Sequence, residues 1–552
     1  TGTCTNVTNT AAENPCAPYI CDGTQSGCTS DCTTASDCAG ATNCTVGPNT
    51  CATPWFALGT SMTENWYSDA MQPKIAMTTS GHPMVSLKQI QQVGVDEMHC
   101  VRTFEWQDNN GTMVWQSPSG TQANYSICAN HGDGNLAHGY SSDVVIAEDN
   151  MTFLTAHAKS YSPINYNIEM HRRSEEQNGW SLNPPAHPRS SEEDFYPSPP
   201  SVALFSIDDG SNGTIDQRPV IAYHKAPHAT KATIVKHYPD DGGNWTDGTF
   251  CDGSSTFAQV ISTQAPNLGD DGQGNVLLTY AADDGSVLHL YEYHYTNPSY
   301  CWDSRPHTGG AGNPWGTTFD PSVVYRKACL CDATSGQCDN NCDCDEDCGT
   351  GTGSNPTVAV VNESEGTQSI KVFEYDYVNA IWSELSATAA VTAGIHSDVE
   401  FEKPALMAHP SLPGGLLIAF IAVCPENSGC GIDFDFGRYL LLRYYDGQNW
   451  QSLSSDPGAF STPGLSQSAH VHDVDISASK ASDRVCLTFL EDKHSCDDGS
   501  TVCMDDGDCS GGDDTCTSKD KQIYVRCHAL PCPCDAAPAD CSVGCTCDLD
   551  CP

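Results

Sequence analysis

Tryptophans followed by a short polar stretch recur along the chain, at Trp55, Trp115, Trp180, Trp245, Trp302, Trp382 and Trp450. Ahead of them lie short β-rich runs that end in an aromatic or basic residue and a turn, as in residues 370–375 and 440–445, which predict hairpins. A second apolar run precedes each hairpin, as in residues 416–420 and 485–489. A repeat built from strands in this way predicts an array of small sheets.

A further short run adds an innermost strand to the repeat, as in residues 143–147, 398–401 and 473–476. Four strands per repeat make one propeller blade, so we expect an all-β fold, a seven-bladed β-propeller of four-stranded blades. The last repeat ends near residue 527 without a Trp strand, whereas Trp55 precedes the first repeat. The N-terminal strand near Trp55 is therefore expected to complete the seventh blade, closing the ring and removing its open edge.

Two segments resemble the sialidase-like propellers, specifically the bacterial neuraminidase repeat type. These are Gly139-Tyr-Ser-Ser-Asp-Val-Val-Ile and Gly81-His-Pro-Met-Val-Ser, and residues 240–245 resemble a degenerate Asp-box. The resemblance covers roughly residues 54–528. It implies a fold rather than a function, since propellers host lectins, hydrolases, lyases and scaffolds. A sialidase would also need an arginine cluster, a Tyr/Glu nucleophile pair and an acidic Asp, none of which the sequence places.

The chain has 32 cysteines, most of them clustered among small polar residues. We expect an N-terminal cysteine-rich module (1–53), a propeller (54–528) with insertions at 329–348 and 496–516, and a C-terminal module (529–552). One six-cysteine spacing occurs twice, at Cys329, Cys331, Cys338, Cys342, Cys344 and Cys348 and again at Cys532, Cys534, Cys541, Cys545, Cys547 and Cys551. With so few apolar side chains, these modules need staples, and disulfides suit them; thiolate zinc or an iron–sulfur cluster is the alternative.

Other cysteines lie where single disulfides would join neighbouring strands. The pairs expected from position are Cys486 with Cys527, Cys251 with Cys301, Cys424 with Cys430 and Cys100 with Cys128. This use of cysteine indicates an oxidising compartment, so we expect a secreted, extracellular or cell-surface protein. The start at Thr1 without a leader fits a mature form.

The charge balance narrows the possible partners. Lys and Arg total 24 against 70 Asp and Glu, a net charge of −46, which repels nucleic acid and anionic membranes. No apolar run approaches the roughly 18 residues that a membrane span requires, so membrane insertion is not expected. No motif for an organic cofactor is present.

Aspartates and histidines near the start of several innermost strands are candidates for a ligand or cation site in the central channel. They are Asp69, Asp143, Asp320, Asp398 and Asp473, with His138, His396 and His472. Because innermost strands line the channel, these groups could converge. The alternative is that each Asp bonds backbone amides where a loop turns into a strand.

Calcium is the cofactor that the acidic loops suit best. Residues 208–216 resemble the start of an EF-hand loop, and the cysteine modules carry further carboxylates; the candidate ligands are Asp208, Asn212, Asp216, Asp343, Asp345, Asp347, Asp548 and Asp550. The alternative is that these residues form turns and add solubility.

The many expected disulfides, the repeated small modules and the lack of a catalytic signature favour a non-catalytic structural or interaction protein. It would make protein or glycan contacts at a cell surface or in the extracellular matrix, with self-assembly as one form of use. The alternatives are a secreted glycan-processing enzyme of the sialidase-like class, hydrolase or lyase, and a propeller lectin with Trp106, Tyr293 and Tyr444 as sugar platforms.

Overall fold

In the computed structural model, the described residues lie between 43 and 529. Residues 1–42, 117–136, 328–353, 453–469, 497–515 and 530–552 lie outside them, together with shorter loop segments. All regular structure in the described parts is β-strand, and no helix there is long and apolar enough to cross a membrane. The all-β prediction is therefore confirmed.

A short hairpin pairs β1 (Asn43–Thr45) with β2 (Thr50–Ala52), and β3 (Phe56–Ala57) follows it. The remaining strands form antiparallel sheets of consecutive strands, which we label A to G. Sheet A contains β4 (Asp69–Met77), β5 (Pro83–Val93), β6 (Asp96–Asp108) and β7 (Met113–Gln116). Sheet B contains β8 (Ala137–Ile146), β9 (Thr152–Tyr161), β10 (Ile164–Arg173), β11 (Ser181–Leu182) and β12 (Arg189–Ser190). Sheet C contains β13 (Ser201–Asp208), β14 (Ile215–Lys225), β15 (Lys231–His237), β16 (Thr246–Asp247) and β17 (Gln259–Val260).

The second half of the chain repeats the same order of strands. Sheet D contains β18 (Asn267–Asp270), β19 (Val276–Ala281), β20 (Leu288–Thr296) and β21 (Ser299–Ser304). Sheet E contains β22 (Thr317–Lys327), β23 (Ser354–Ser364), β24 (Thr367–Asp376) and β25 (Ile381–Glu384). Sheet F contains β26 (Glu400–Ala408), β27 (Leu416–Cys424), β28 (Gly437–Tyr445) and β29 (Trp450–Ser452). Sheet G contains β30 (Val471–Ser479), β31 (Arg484–Cys496) and β32 (Cys516–Ala529).

The two ends of this array meet at sheets G and A. The strand β3 pairs with β32, with Phe56 opposite Cys527, as expected for the strand that follows Trp55. A parallel bridge between Lys521 and Asp69 also joins β32 to β4, so that G and A form one eight-stranded sheet. The first and last parts of the described chain are therefore held together by backbone pairing.

Apolar cores lie between consecutive sheets. The strand β27 shows why: Leu416, Ile418 and Phe420 pack towards sheet E, whereas Leu417 and Ala419 pack towards sheet G. Successive side chains of a strand point to opposite faces, so a strand buried on both faces reads as a continuous apolar run. Equivalent cores lie at the other junctions, including the one between G and A.

Four of the repeated tryptophans lie where the hairpin pattern predicts, in the fourth strand of a sheet and directly opposite an aromatic residue of the third strand. The pairs are Trp106 with Trp115, Tyr293 with Trp302, Tyr375 with Trp382 and Tyr445 with Trp450. Their ring centroids are 5.1 to 5.2 Å apart, within the range of favourable aromatic contacts.

Two expected disulfides are present. Cys486 and Cys527 lie directly opposite each other in β31 and β32 and are bonded, with Cα atoms 4.1 Å apart. Cys251 is bonded to Cys301, with Cα atoms 5.0 Å apart. Cys100 and Cys424 are also disulfide-bonded, whereas the partners expected for them lie outside the described residues, as do both six-cysteine modules.

Candidate functional site

The first strands of the sheets lie beside one another. The strand β4 contacts β8, β8 contacts β13, and the series continues through β18, β22, β26 and β30 back to β4. Most of these strands carry a register shift near their start, at positions 71–74, 139–141, 319–322, 402–405 and 471–473. Bulges re-aim side chains, so they set what these strands present to one another.

Three of the bulges share an unusual backbone conformation. Gln72, Asp320 and Lys403 have φ angles of 50°, 44° and 50°, and each is followed by a proline. Non-glycine residues enter this left-handed region at a cost, which the surrounding structure has to offset. The Lys403 amide donates to Asp320 Oδ2 at 3.4 Å, so the bulges of β22 and β26 contact each other.

A side-chain acceptor joins each first strand to the next at five junctions in the described chain. The acceptor oxygen takes a backbone N–H of the following first strand: Asp143 from Val202, Ser201 from Leu268, Asn267 from Val323, Ser322 from Leu406, and Asp475 from Ile75. These distances lie between 2.9 and 3.2 Å. These hydrogen bonds join neighbouring sheets. Ser201, Asn267 and Ser322 each directly precede a residue whose amide donates in this set. Lys74 and Ala405 lie directly before the donors Ile75 and Leu406, but their side chains have no acceptor atom.

Lys74 lies at the junction of the first and last sheets. Its Nζ atom is 3.7 Å from Asp475 Oδ1, and the two side chains are 31% and 20% exposed. Burial favours the neutral amine, but Asp475, Asp143 and Asp473 outweigh it and raise the pKa of Lys74. This lysine therefore stays charged beside three carboxylates from sheets B and G, and Lys403 adds a second positive charge at Asp473.

The three carboxylates respond mainly to burial. Burial raises the pKa of Asp143, and Lys74 together with the Val202 amide opposes it. The pKa values of Asp473 and Asp475 are also raised by burial, and lysine charges partly offset that rise. With an ammonium already among these oxygens, the cluster does not fit a calcium ion, whose ligands are all oxygens.

Asp398, His396 and His472, also predicted for the channel, have contacts outside this cluster, and for Asp69 and His138 the structure gives the strand register. Asp398 is half exposed and lies beside His396, with 3.8 Å between Oδ2 and Nδ1. His472 Nε2 lies 2.7 Å from Asp492 Oδ2, a contact between β30 and β31. Asp69 begins β4 opposite Ile90. His138 lies in β8 opposite Lys159.

The predicted calcium ligands fall mostly outside the described residues. Asp208 and Asp216 lie at the facing ends of β13 and β14, opposite Ile215 and Ile207. Asn212 and the acidic residues of the two cysteine modules, Asp343, Asp345, Asp347, Asp548 and Asp550, lie outside the description. Within the described part of the chain, no group of three or more His, Cys, Asp or Glu side chains is arranged to hold a metal ion.

A buried carboxylate that the sequence did not reveal lies between sheets D and E. The side chain of Glu292, in β20, is 1% exposed. Its Oε2 accepts from Arg305 Nε at 2.7 Å. Its Oε1 accepts from the Tyr325 hydroxyl at 2.9 Å and from the Tyr377 hydroxyl. The only sequence signal was an acidic residue between two aromatics in a third strand, a pattern shared with Glu374.

The protonation of this cluster is fixed by its surroundings. Burial, followed by the charge of Glu292, raises the pKa of Tyr325. The same two causes raise the pKa of Tyr377, whose ring is partly exposed while its hydroxyl lies against Glu292. Burial by itself would lower the pKa of Arg305, but the negative charges of Glu292 and Asp303 outweigh it and raise the pKa. Both tyrosines are therefore held as neutral hydrogen-bond donors, and Arg305 is engaged by two carboxylates.

Arg–Glu pairs recur at other junctions: Arg173 with Glu105, Arg326 with Glu374, and Arg438 with Glu402. Two of these arginines also reach the next sheet. Arg326 Nε donates to the Gly414 carbonyl at 2.7 Å, and Arg438 Nε donates to the Val471 carbonyl at 2.9 Å. These charges thus join neighbouring sheets.

The aromatic residues named as sugar platforms pack against other residues of the fold. Tyr293 is 4% exposed and lies against Trp302. Trp106 lies edge-on to Trp115, and Tyr444 lies against His409. The exposed large apolar side chains of the described chain are instead Met113, Tyr377 and Ile381.

Comparison with known proteins gives a family match and likenesses of fold. A family model described as the N-terminal domain of DUF1619 matches residues 314–388, which contain the described strands of sheet E. No curated protein matches the chain.

Among solved structures, the chain is similar to the Hadza microbial sialidase Hz136, at 10% identity and a TM-score of 0.36, over 60% of this chain and 61% of that one. It thus spans less than two thirds of that sialidase. It is also similar to a Penicillium chrysogenum α-L-arabinanase, at 12% identity and a TM-score of 0.35, over 66% of this chain and 94% of that one. A third is the fungal Aleuria aurantia lectin, a six-bladed β-propeller, at 12% identity and a TM-score of 0.32, over 75% and 99% of the two chains. The likeness is one of fold.

Proposed function

We propose that this chain is a non-catalytic extracellular interaction protein built on a closed seven-bladed β-propeller. Sheets A to G are the blades, and β3 completes the last of them. Three observations support closure: the cores lie between all consecutive sheets including G and A, the first strands contact in a cyclic order, and β3 pairs with β32.

The observation that carries the non-catalytic part is the use of buried charge. The buried Glu292 is engaged by one arginine and two tyrosine hydroxyls. The first-strand carboxylates accept backbone amides of neighbouring sheets and surround Lys74. Groups held in this way stabilise the junctions between blades and are not poised to transfer protons or attack a substrate.

The Tyr325–Glu292 pair has the composition of the nucleophile pair that a sialidase requires, but its burial opposes that use. Glu292 lies where a base for Tyr325 would lie, yet its side chain is 1% exposed and its oxygens already accept from Arg305 and two tyrosine hydroxyls, which leaves the pair closed to a substrate. Arg305 is also bound to Glu292 and Asp303, so its charge is already neutralised. We therefore place the glycan-processing reading second.

The contacts that the protein makes are proposed to lie on exposed hairpin turns and on the cysteine modules. Tyr377 and Ile381, each 41% exposed, flank the turn between β24 and β25. The partners we propose are proteins or glycans of a cell surface or matrix. Calcium in the acidic loops and self-assembly are further parts of this proposal, tested by metal analysis and by light scattering with and without calcium.

A hydrolysis assay tests the central part of the proposal. The secreted protein and its Glu292→Gln variant are offered sialosides, arabinofuranosides and hexosides between acidic and neutral pH. We expect no turnover from either protein. Turnover that is lost in Glu292→Gln and kept in the control Glu374→Gln, which changes another Arg-bound glutamate, would overturn the non-catalytic reading.

A further inference from the structure

Arg443 is a buried arginine that differs from the other arginines at sheet junctions. It lies in β28, is 4% exposed, and its Nε donates to the Val391 carbonyl at 3.2 Å. Its Nη1 atom has no hydrogen-bond partner among the described residues. Burial lowers the pKa of Arg443, with no carboxylate acting in the opposite direction.

Arg443 lacks the carboxylate that pairs with arginines in other sheets. Glu105, Glu292 and Glu374 lie in the third strands of sheets A, D and E, one residue before the aromatic that faces the fourth-strand tryptophan, and each is bound to an arginine. In sheet F that position is held by Tyr444, and no carboxylate of the described chain acts on Arg443, one residue earlier. A buried guanidinium without a counter-charge is costly, so the fold has a reason to supply an anion.

A second unpartnered donor lies on the same face of sheet F. Trp450 begins β29 opposite Tyr445, and Arg443 lies opposite Ser452. Since side chains two residues apart share a face, Arg443 and Trp450 are diagonal neighbours, about 7–8 Å apart at their backbones. Trp450 is 8% exposed, and its Nε1 atom has no partner in the described chain.

Two of the tryptophans at equivalent positions in other sheets use this donor. Trp115 Nε1 donates to the Leu58 carbonyl at 2.7 Å, and Trp382 Nε1 donates to the Arg305 carbonyl at 3.2 Å. Both carbonyls belong to the residue that follows the fourth strand of the preceding sheet. Trp450 Nε1 and Arg443 Nη1, both without a hydrogen-bond partner in the described chain, therefore lie on the face of sheet F that packs against sheet E.

We propose that Arg443 and Trp450 form a buried binding site for a small monovalent anion, with chloride as the occupant. Two N–H donors on one sheet face and one positive charge can hold an anion, and the apolar surroundings strengthen the attraction. The burial of both residues favours a monatomic ion over a carboxylate. A water molecule could accept from the same donors, but it could not neutralise the guanidinium.

The test measures thermal stability of the intact protein at constant ionic strength while sodium chloride replaces sodium gluconate. A ligand that binds the folded state raises the unfolding temperature in a saturable way. We expect this rise with chloride and bromide, little with acetate, and broadening of the ³⁵Cl resonance by the protein. Arg443→Met should lose both effects, and the control Arg438→Met, which removes an arginine paired with Glu402, should keep them.

If Arg443→Met fails to fold, Trp450→Phe keeps the ring and removes only the indole donor. It should weaken chloride binding by about tenfold, the effect of one lost charge-assisted hydrogen bond. Equal stability in chloride and gluconate, with no ³⁵Cl broadening, would show that water fills the site and would overturn the proposal. A chloride effect retained in both variants would also overturn it.

Discussion

Asp475 joins the last sheet to the first, so its removal is expected to weaken the junction where the two ends of the chain meet. Its Oδ2 accepts the Ile75 amide at 2.9 Å, and its Oδ1 lies 3.7 Å from Lys74 Nζ. A hydrogen bond to a charged acceptor contributes about 1.5–3 kcal/mol. A partly exposed ion pair adds up to about 1 kcal/mol. Asp475→Ala should therefore lower the free energy of unfolding by about 2–4 kcal/mol.

Ser322→Ala is the matched control, because Ser322 makes the same kind of inter-sheet contact with a neutral acceptor, to Leu406 at 3.0 Å. It should cost about 1 kcal/mol. Urea unfolding, followed by tryptophan fluorescence with the disulfides intact, gives both values. A double-mutant cycle with Lys74→Met then isolates the ion pair. If Asp475→Ala cost no more than Ser322→Ala, the charge of Asp475 would add no stability at the junction of sheets G and A beyond that of a neutral hydrogen bond.

Two further predictions concern charge and covalent stapling. The pKa of Asp473 is raised in the folded state, so its ionisation costs stability above the unfolded pKa of about 4, and this cost is relieved as pH falls through the raised value. Asp473→Asn should thus stabilise the protein near neutral pH and make no difference at about pH 3 in thermal melts; stabilisation that persists at the lower pH would contradict this sign. Replacing both Cys486 and Cys527 by alanine removes a disulfide whose cysteines are 41 residues apart in sequence. It should lower the free energy of unfolding in urea by about 4 kcal/mol. The control, alanine at both Cys251 and Cys301, with separation 50, should cost nearly the same, and a large difference would mean that native-state strain outweighs chain entropy.

The strand repeat could be predicted because its signals are local. Each fourth-strand tryptophan faces a third-strand aromatic only a few residues away, as Trp450 faces Tyr445. A short segment of sequence is therefore enough to predict the hairpin. The bond between Cys486 and Cys527 follows from the same logic, because neighbouring strands fix which cysteines can meet.

The charged clusters could not be predicted in this way. Asp143 and Asp473 were named from their place in the first strands, but Lys74 carries no motif, and its partner Asp475 lies in the last sheet, at the other end of the described chain. Glu292 is one acid among 70, and only the packing of sheet D on sheet E brings Tyr325 to it.

The most direct test of the central claim, that buried charge in this fold serves structure, compares stability and turnover in the same Glu292→Gln preparation. A glutamine keeps one acceptor oxygen but loses the charge that Arg305 requires, and breaking a buried pair of this kind costs about 3–5 kcal/mol. We predict a loss of stability of that order and no glycoside turnover in either the original protein or the variant. Unchanged stability together with a turnover that only the original protein shows would contradict the account.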